Sequence, residues 1–174
     1  MSNTSNILRL AILFVVVTLA QIFIFNNIQV SGFVNPYLYI VFIMTLPFGI
    51  GRGTLLVLSF FTGLFIDLFS NTPGMHACAC TLIGYVRPYF LKFIAFRNEY
   101  REDGLPSMAE YGLSWYAKYA VLMVCTHHVT LFFIEQFDTL FFWPTLLRII
   151  LSIVSTLFFI IILQLFMPIS TKSE

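Results

Sequence analysis

Six apolar stretches of near-bilayer length, separated by turns of polar residues, glycine or proline, constrain this chain more than any other feature. They cover residues 7–25, 36–49, 54–69, 75–94, 115–134 and 144–167. A helix that crosses the hydrocarbon layer takes about 20 residues, and lipid obliges every backbone amide to find its partner within the protein. Only 10% of the 174 residues are charged and 59% are hydrophobic, whereas a water-soluble domain carries about 25% charged residues. The expectation is therefore an all-α membrane protein, a single transmembrane domain over 1–174 with six transmembrane helices. The motif Thr18-Leu19-Ala20 imitates a signal-cleavage site, but the apolar run continues past it, so the first stretch reads as a retained span.

The nine basic residues orient the bundle. With six spans both termini share a side, and Arg9, Arg52, Arg87, Lys92, Arg97, Arg101, Lys118 and Lys172 fall on it, leaving Arg148 near the other. Cytoplasmic loops carry the excess of Lys and Arg, so both termini and the loop 96–114 are expected in the cytoplasm. Tyr85, Tyr89, Tyr111, Trp115, Tyr116 and Tyr119 fit an inner aromatic belt, with Tyr37, Tyr39 and Trp143 toward the outer rim. In the loop, Arg97, Glu99, Arg101, Glu102 and Asp103 nearly cancel. Such a run is ordinarily a solvated linker, and it is also the surface large enough to meet a cytoplasmic partner. Ser107 followed by Glu110 resembles a capping box, so the fifth helix is expected to begin before the bilayer.

Functional residues concentrate in the hairpin GLFIDLFSNTPGMHACACTLIGY, Gly63 to Tyr85. Ser59, Gly63 and Asp67 recur every fourth residue before its turn, and His76, Cys80 and Gly84 do so after it. On helices each trio shares one face, and small residues on such a face let two backbones approach closely. Pro73 and Gly74 make the turn. Asp67 is expected to tie the hairpin together with His76 as its partner; proton or substrate binding is the alternative.

Other chemistry is thin. Net charge is +1 with no long basic tract, which excludes a nucleic-acid partner. Three cysteines within apolar segments give no closed disulfide set. His76, Cys78, Cys80, Cys125, His127 and His128 invite a metal, but no spacing matches a known site. His76 near the outer face and His127 deep in a span converge poorly, so His127 and His128 are expected to hydrogen-bond between helices. No cofactor is expected. Arg148 is expected to snorkel outward rather than to pair with Glu135 or Asp138. No nucleophile elbow, phosphate loop or facing pair of carboxylates appears, so no enzyme is expected.

A glycine-containing turn (Gly49, Gly51, Gly53), then G-L-x-x-D-L (Gly63, Leu64, Asp67, Leu68), S-x-x-P-G-x-H (Ser70, Pro73, Gly74, His76) and G-Y (Gly84, Tyr85) resembles the MreD family of bacterial rod shape-determining membrane proteins. The resemblance implies a multi-pass, non-enzymatic scaffold of the cell-elongation machinery in the inner membrane. Its implied neighbours are an MreC-like single-span partner, the actin-like MreB, and the RodA glycosyltransferase with its transpeptidase partner. It also implies a bundle similar in fold to the substrate-binding S-components of energy-coupling-factor vitamin transporters, which supply the rival reading. An S-component would keep an outer pocket, for which Asn26, Asn27, Gln29, Asn71 and His76 are candidates. It would also show alanines four apart on the first helix, whereas Ala11 and Ala20 are not so spaced.

Overall fold

The computed structural model describes residues 3–28, 34–95, 100–136 and 142–167. About 80% of the described residues are helical. The helices are α1 (Asn3–Phe23), α2 (Ile40–Thr45), α3 (Arg52–Ser70), α4 (Met75–Ile94), α5 (Met108–Tyr111), α6 (Leu113–Glu135) and α7 (Phe142–Phe166), with a short 3-10 turn, Phe25–Asn27, after α1. No strand occurs among the described residues. Among the described residues four segments are long and apolar enough to cross a membrane: Asn6–Asn27, Arg52–Ser70, Leu113–Glu135 and Phe142–Phe166. Helix α4 has bilayer length, at 20 residues or about 30 Å. However, it carries Arg87 and Lys92.

The expected second span, 36–49, is not a bilayer-length helix. It contains only the six residues of α2, every one of them buried, preceded by non-helical chain. The break has a clear physical cause. Pro36 and Pro47 bracket the segment, and a residue before proline is driven out of helical geometry; Leu46 accordingly sits at φ −55°, ψ 147°. Backbone groups freed in this way are tolerated inside a membrane protein only if other residues satisfy them.

Neighbouring side chains do this. The N–H groups of Asn35 and Tyr37 donate to Ser152 Oγ and Thr156 Oγ1, both at 3.0 Å. Gln21 accepts from the Leu38 N–H at 2.7 Å and donates to the Pro36 carbonyl at 3.0 Å. Helices α1 and α7 thus hold the entry to α2. Its exit is held by Arg87, described below.

This segment also has to cross the bundle. Asn26 Nδ2 donates to Ser70 Oγ at 3.2 Å, so α1 and α3 finish at the same end. The chain between Asn27 and Arg52 must therefore return the full length of α3, about 28 Å for 19 residues. Extended chain rises more than twice as far per residue as a helix, so a half-extended, half-helical segment spans that distance.

Helices α3 and α4 pack against each other along their small-residue faces. Ser59, Gly63 and Asp67 are buried, as are His76, Cys80 and Gly84. A Cβ on Gly63 would fall on the backbone of His76 and Ala77, and one on Gly84 would strike the Ser59 side chain. The turn is closed by Asn71 in the left-handed region (φ 55°, ψ 38°) and by Gly74 at φ 81°. The expected docking of the two backbones is present.

From Tyr100 on, the loop beyond α4 is tied to the exit of α2 while its charged side chains stay exposed. Phe48 N–H donates to the Gly104 carbonyl and Gly49 N–H to that of Glu102, at 3.1 and 2.9 Å. Tyr100 stacks on Phe48 with ring centroids 4.3 Å apart, and its hydroxyl accepts from Trp115 Nε1 at 3.1 Å. Aromatic contact outweighs the mixed charge, and Arg101 and Asp103 pair on the exposed surface. Ser107 does cap a helix, accepting from the Glu110 N–H at 3.2 Å. That helix is the four-residue α5, and Gly112 at φ 82° separates it from α6.

Candidate functional site

Asp67 stands at the end of α3 but serves the start of α4. Its carboxylate accepts from the backbone N–H groups of His76 (3.0 Å) and Ala77 (2.9 Å) and from the Thr72 hydroxyl (2.6 Å). The first N–H groups of a helix have no partner within it, and the helix dipole favours a negative charge there. Asp67 meets both conditions from a neighbouring helix. The expected tie to His76 is therefore made through the histidine's backbone, not its imidazole.

That imidazole faces the core. Tyr39 Oη lies 2.7 Å from His76 Nδ1 and 2.7 Å from His127 Nε2. All three histidines of the chain gather here, because α2 delivers Tyr39 between α4 and α6. This corrects the expectation that His76 and His127 converge poorly. Even so, among the described residues no three His, Cys, Asp or Glu side chains stand close enough to share a metal ion. Tyr37 and Tyr39 are buried rather than placed at an outer rim, and Tyr116 and Tyr119 are likewise core residues.

Counting donors and acceptors fixes the protons. His128 Nδ1 lies 2.9 Å from the Val124 carbonyl and must carry a hydrogen. Its Nε2 then accepts from the Thr156 hydroxyl at 3.0 Å, whose oxygen takes the Tyr37 N–H. Tyr39 has one hydroxyl proton, so at most one of its neighbours accepts from it. His127 Nδ1 is buried without a partner. A stranded N–H costs more than a bare lone pair, since carbonyl and nitrogen acceptors tolerate under-use better than donors do. His127 therefore donates through Nε2 to Tyr39 Oη, which also neighbours His76 Nδ1 and the Cys80 thiol.

Arg87, which the charge pattern placed on the cytoplasmic rim, is the largest fully buried side chain. Its guanidinium donates to Tyr119 Oη at 2.9 Å and to the carbonyls of Leu46 and Pro47. Tyr119 in turn donates to the Met44 carbonyl at 3.0 Å. A cation at the carboxyl end of a helix meets carbonyls that have no helical partner. Arg87 thus closes α2.

Above the histidine cluster a cleft of about 410 Å³ opens between the ends of α1, α3, α6 and α7. Gln21 and Asn26 form one wall, joined by a 2.9 Å hydrogen bond. Tyr37 and His76, both buried, line it too, as do Glu135 and Arg148. Arg148 does not snorkel away. Its Nη1 pairs with Glu135 Oε1 at 3.0 Å, and its guanidinium lies 4.6 Å over the Phe132 ring. With the Asn35 amide turned to satisfy both its ends, Oδ1 accepts from Arg148 Nη2 (2.7 Å) and Nε (3.2 Å).

The predicted site residues therefore divide into groups. Ser59, Gly63, Asp67, Gly74, His76 and Gly84 are brought together along the hairpin. Pro73 is exposed in the turn, Tyr85 is exposed on α4, and Arg101 is exposed on the far loop. Arg97, Gln29 and Asp138 lie outside the described residues. Sequence reasoning missed Gln21, Tyr39, Arg87, Ser152 and Thr156. Gln21 is the one amide within the first apolar run, and Ser152 and Thr156 share a helix face at i, i+4; both were available signals.

Fold and site together define a helical, multi-span type of membrane protein with a polar centre and a polar cleft at one end. Comparison with family models, curated proteins and solved structures finds no match.

Proposed function

We propose that the chain is a non-enzymatic scaffold of the bacterial cell-elongation machinery, an MreD-like protein of the inner membrane that binds an MreC-like single-span partner. In this reading it crosses the bilayer six times, once through the broken segment around α2, with both termini cytoplasmic. MreB, RodA and its transpeptidase partner are its further neighbours, and the lipid bilayer is its solvent.

One observation carries the reading. The acid of the MreD-like motif, Asp67, is fully engaged by two backbone amides and a hydroxyl, which makes it a structural fastener rather than a proton carrier. A rigid hairpin suits a docking module. Pull-down of the tagged protein from native membranes tests this: the expected result is co-purification of a single-span, MreC-like protein, reduced in Asp67→Ala. Recovery of the well-folded protein without any elongation component would overturn it.

The cleft favours a second reading, a substrate-binding S-component of an energy-coupling-factor vitamin transporter. A vitamin retained through detergent purification, with no elongation partner, would select it.

A further inference from the structure

The cleft holds hydrogen-bonding capacity that its structural ties leave over. Arg148 has five N–H bonds, of which three reach Asn35 and Glu135; two remain. Glu135 is engaged through Oε1, and its Oε2 has no hydrogen bond among the described residues. His76 is 4% exposed, and its Nδ1 is held by Tyr39. Its ring lines the cleft, with no hydrogen bond at Nε2 among the described residues.

Free cationic donors thus stand beside a free anionic acceptor on two side chains joined by a 3.0 Å ion pair, in a cleft that His76 also lines. A lone anion in this cleft would meet the Glu135 carboxylate, and a lone cation the Arg148 guanidinium; at short range in a poorly screened site either repulsion is severe. A group carrying both charges meets neither penalty. Its anion takes the two spare N–H bonds of Arg148 while its ammonium donates to Glu135 Oε2, and the existing pair stays intact. The rest of such a molecule faces the amides of Gln21 and Asn26 and the Phe25 and Phe69 rings. A volume of about 410 Å³ is in the range of small-molecule sites.

We propose that this cleft binds a zwitterionic group, through Arg148 and Glu135 with His76 Nε2 as a third polar contact. The zwitterion can be a free amino acid or the head of an aminophospholipid, and the site holds for either functional reading above.

Calorimetric titration of the detergent-purified full chain tests it with matched probes. L-glutamine and glycerophosphoethanolamine carry both charges; glutaramate lacks the ammonium and 4-aminobutanamide lacks the carboxylate. Binding by L-glutamine points to a free amino acid, and binding by glycerophosphoethanolamine alone points to a lipid head. In either case the single-charge analogues should bind at least about tenfold more weakly, the loss expected for one charge-assisted hydrogen bond. The double variant E135Q/R148Q, which leaves no unpaired charge, should lose the zwitterion by a similar factor. No binding of either zwitterion, equal binding of a single-charge analogue, or undiminished binding by the folded double variant would overturn the proposal. Should that variant not fold, the comparison among probes on the unmodified chain decides alone.

Discussion

At the scale of single residues, stability rests on polar side chains that replace missing backbone partners. Asp67→Ala strands two amides at the start of α4 and the Thr72 hydroxyl. A buried donor left unsatisfied costs about 1–3 kcal/mol, so the variant should lose roughly 2–3 kcal/mol in detergent unfolding. Asp67→Asn keeps one acceptor oxygen and should lose less; equal losses would show that only the charge matters. Arg87→Met removes the donors that close α2, exposing the carbonyls of Leu46 and Pro47 to an apolar core. A loss of about 3 kcal/mol or more is expected, with Arg87→Lys recovering part of it; unchanged melting of Arg87→Met would refute the capping role. The two residues differ in how far the sequence betrayed them. Asp67 stood out because it shares a helix face with Ser59 and Gly63. Arg87 did not, because beside Lys92 it looks the same as a rim charge, and only the folded chain brings the end of α2 to it.

At the scale of elements, the hairpin and the broken segment mark opposite limits of what hydrophobic pattern reveals. Small residues at every fourth position of α3 and α4 state which faces meet, because only a missing side chain allows two backbones to touch. Gly63→Ala should therefore destabilise the fold, since even one carbon would fall on the His76 carbonyl and the Ala77 backbone. Overpacking costs about 1–3 kcal/mol, and Gly63→Leu should exceed Gly63→Ala. Gly53→Ala, with nothing within 4 Å of the added carbon, is the control: thermal unfolding that moved equally for both positions would sink the close-packing account. In contrast, residues 36–49 read as a short span because a wholly buried helix and a lipid-facing one carry the same apolar residues. Pro36 and Pro47 were the warning. What they could not convey is that Gln21, Ser152 and Thr156, on two distant helices, would take over the backbone of the unwound part. The loop was misread for the opposite reason: its charges are conspicuous, but Tyr100 packing against Phe48 and Trp115 decides its position.

For the whole molecule, the geometry separates an open polar cleft at one end from a closed polar centre. Helices α1 and α3 finish together at the cleft, and the broken segment brings the chain back to the docked loop that contains Arg101 and Glu102. If the basic residues set orientation as they do in short loops, the hairpin turn faces outward and residues 100–104 face the cytoplasm. Placing a cysteine at Thr72 or at Asp103, with the three native cysteines replaced by alanine or serine, puts this to the test on intact spheroplasts. A membrane-impermeant maleimide should label position 72 from outside and position 103 only after lysis. The half-extended segment makes the prediction strict. Were it to turn back before crossing, α1 and α3 would need to run in opposite senses, which the bond between Asn26 and Ser70 forbids. Labelling of both positions from the same side would therefore contradict the proposed six-crossing arrangement and the packing of the bundle together.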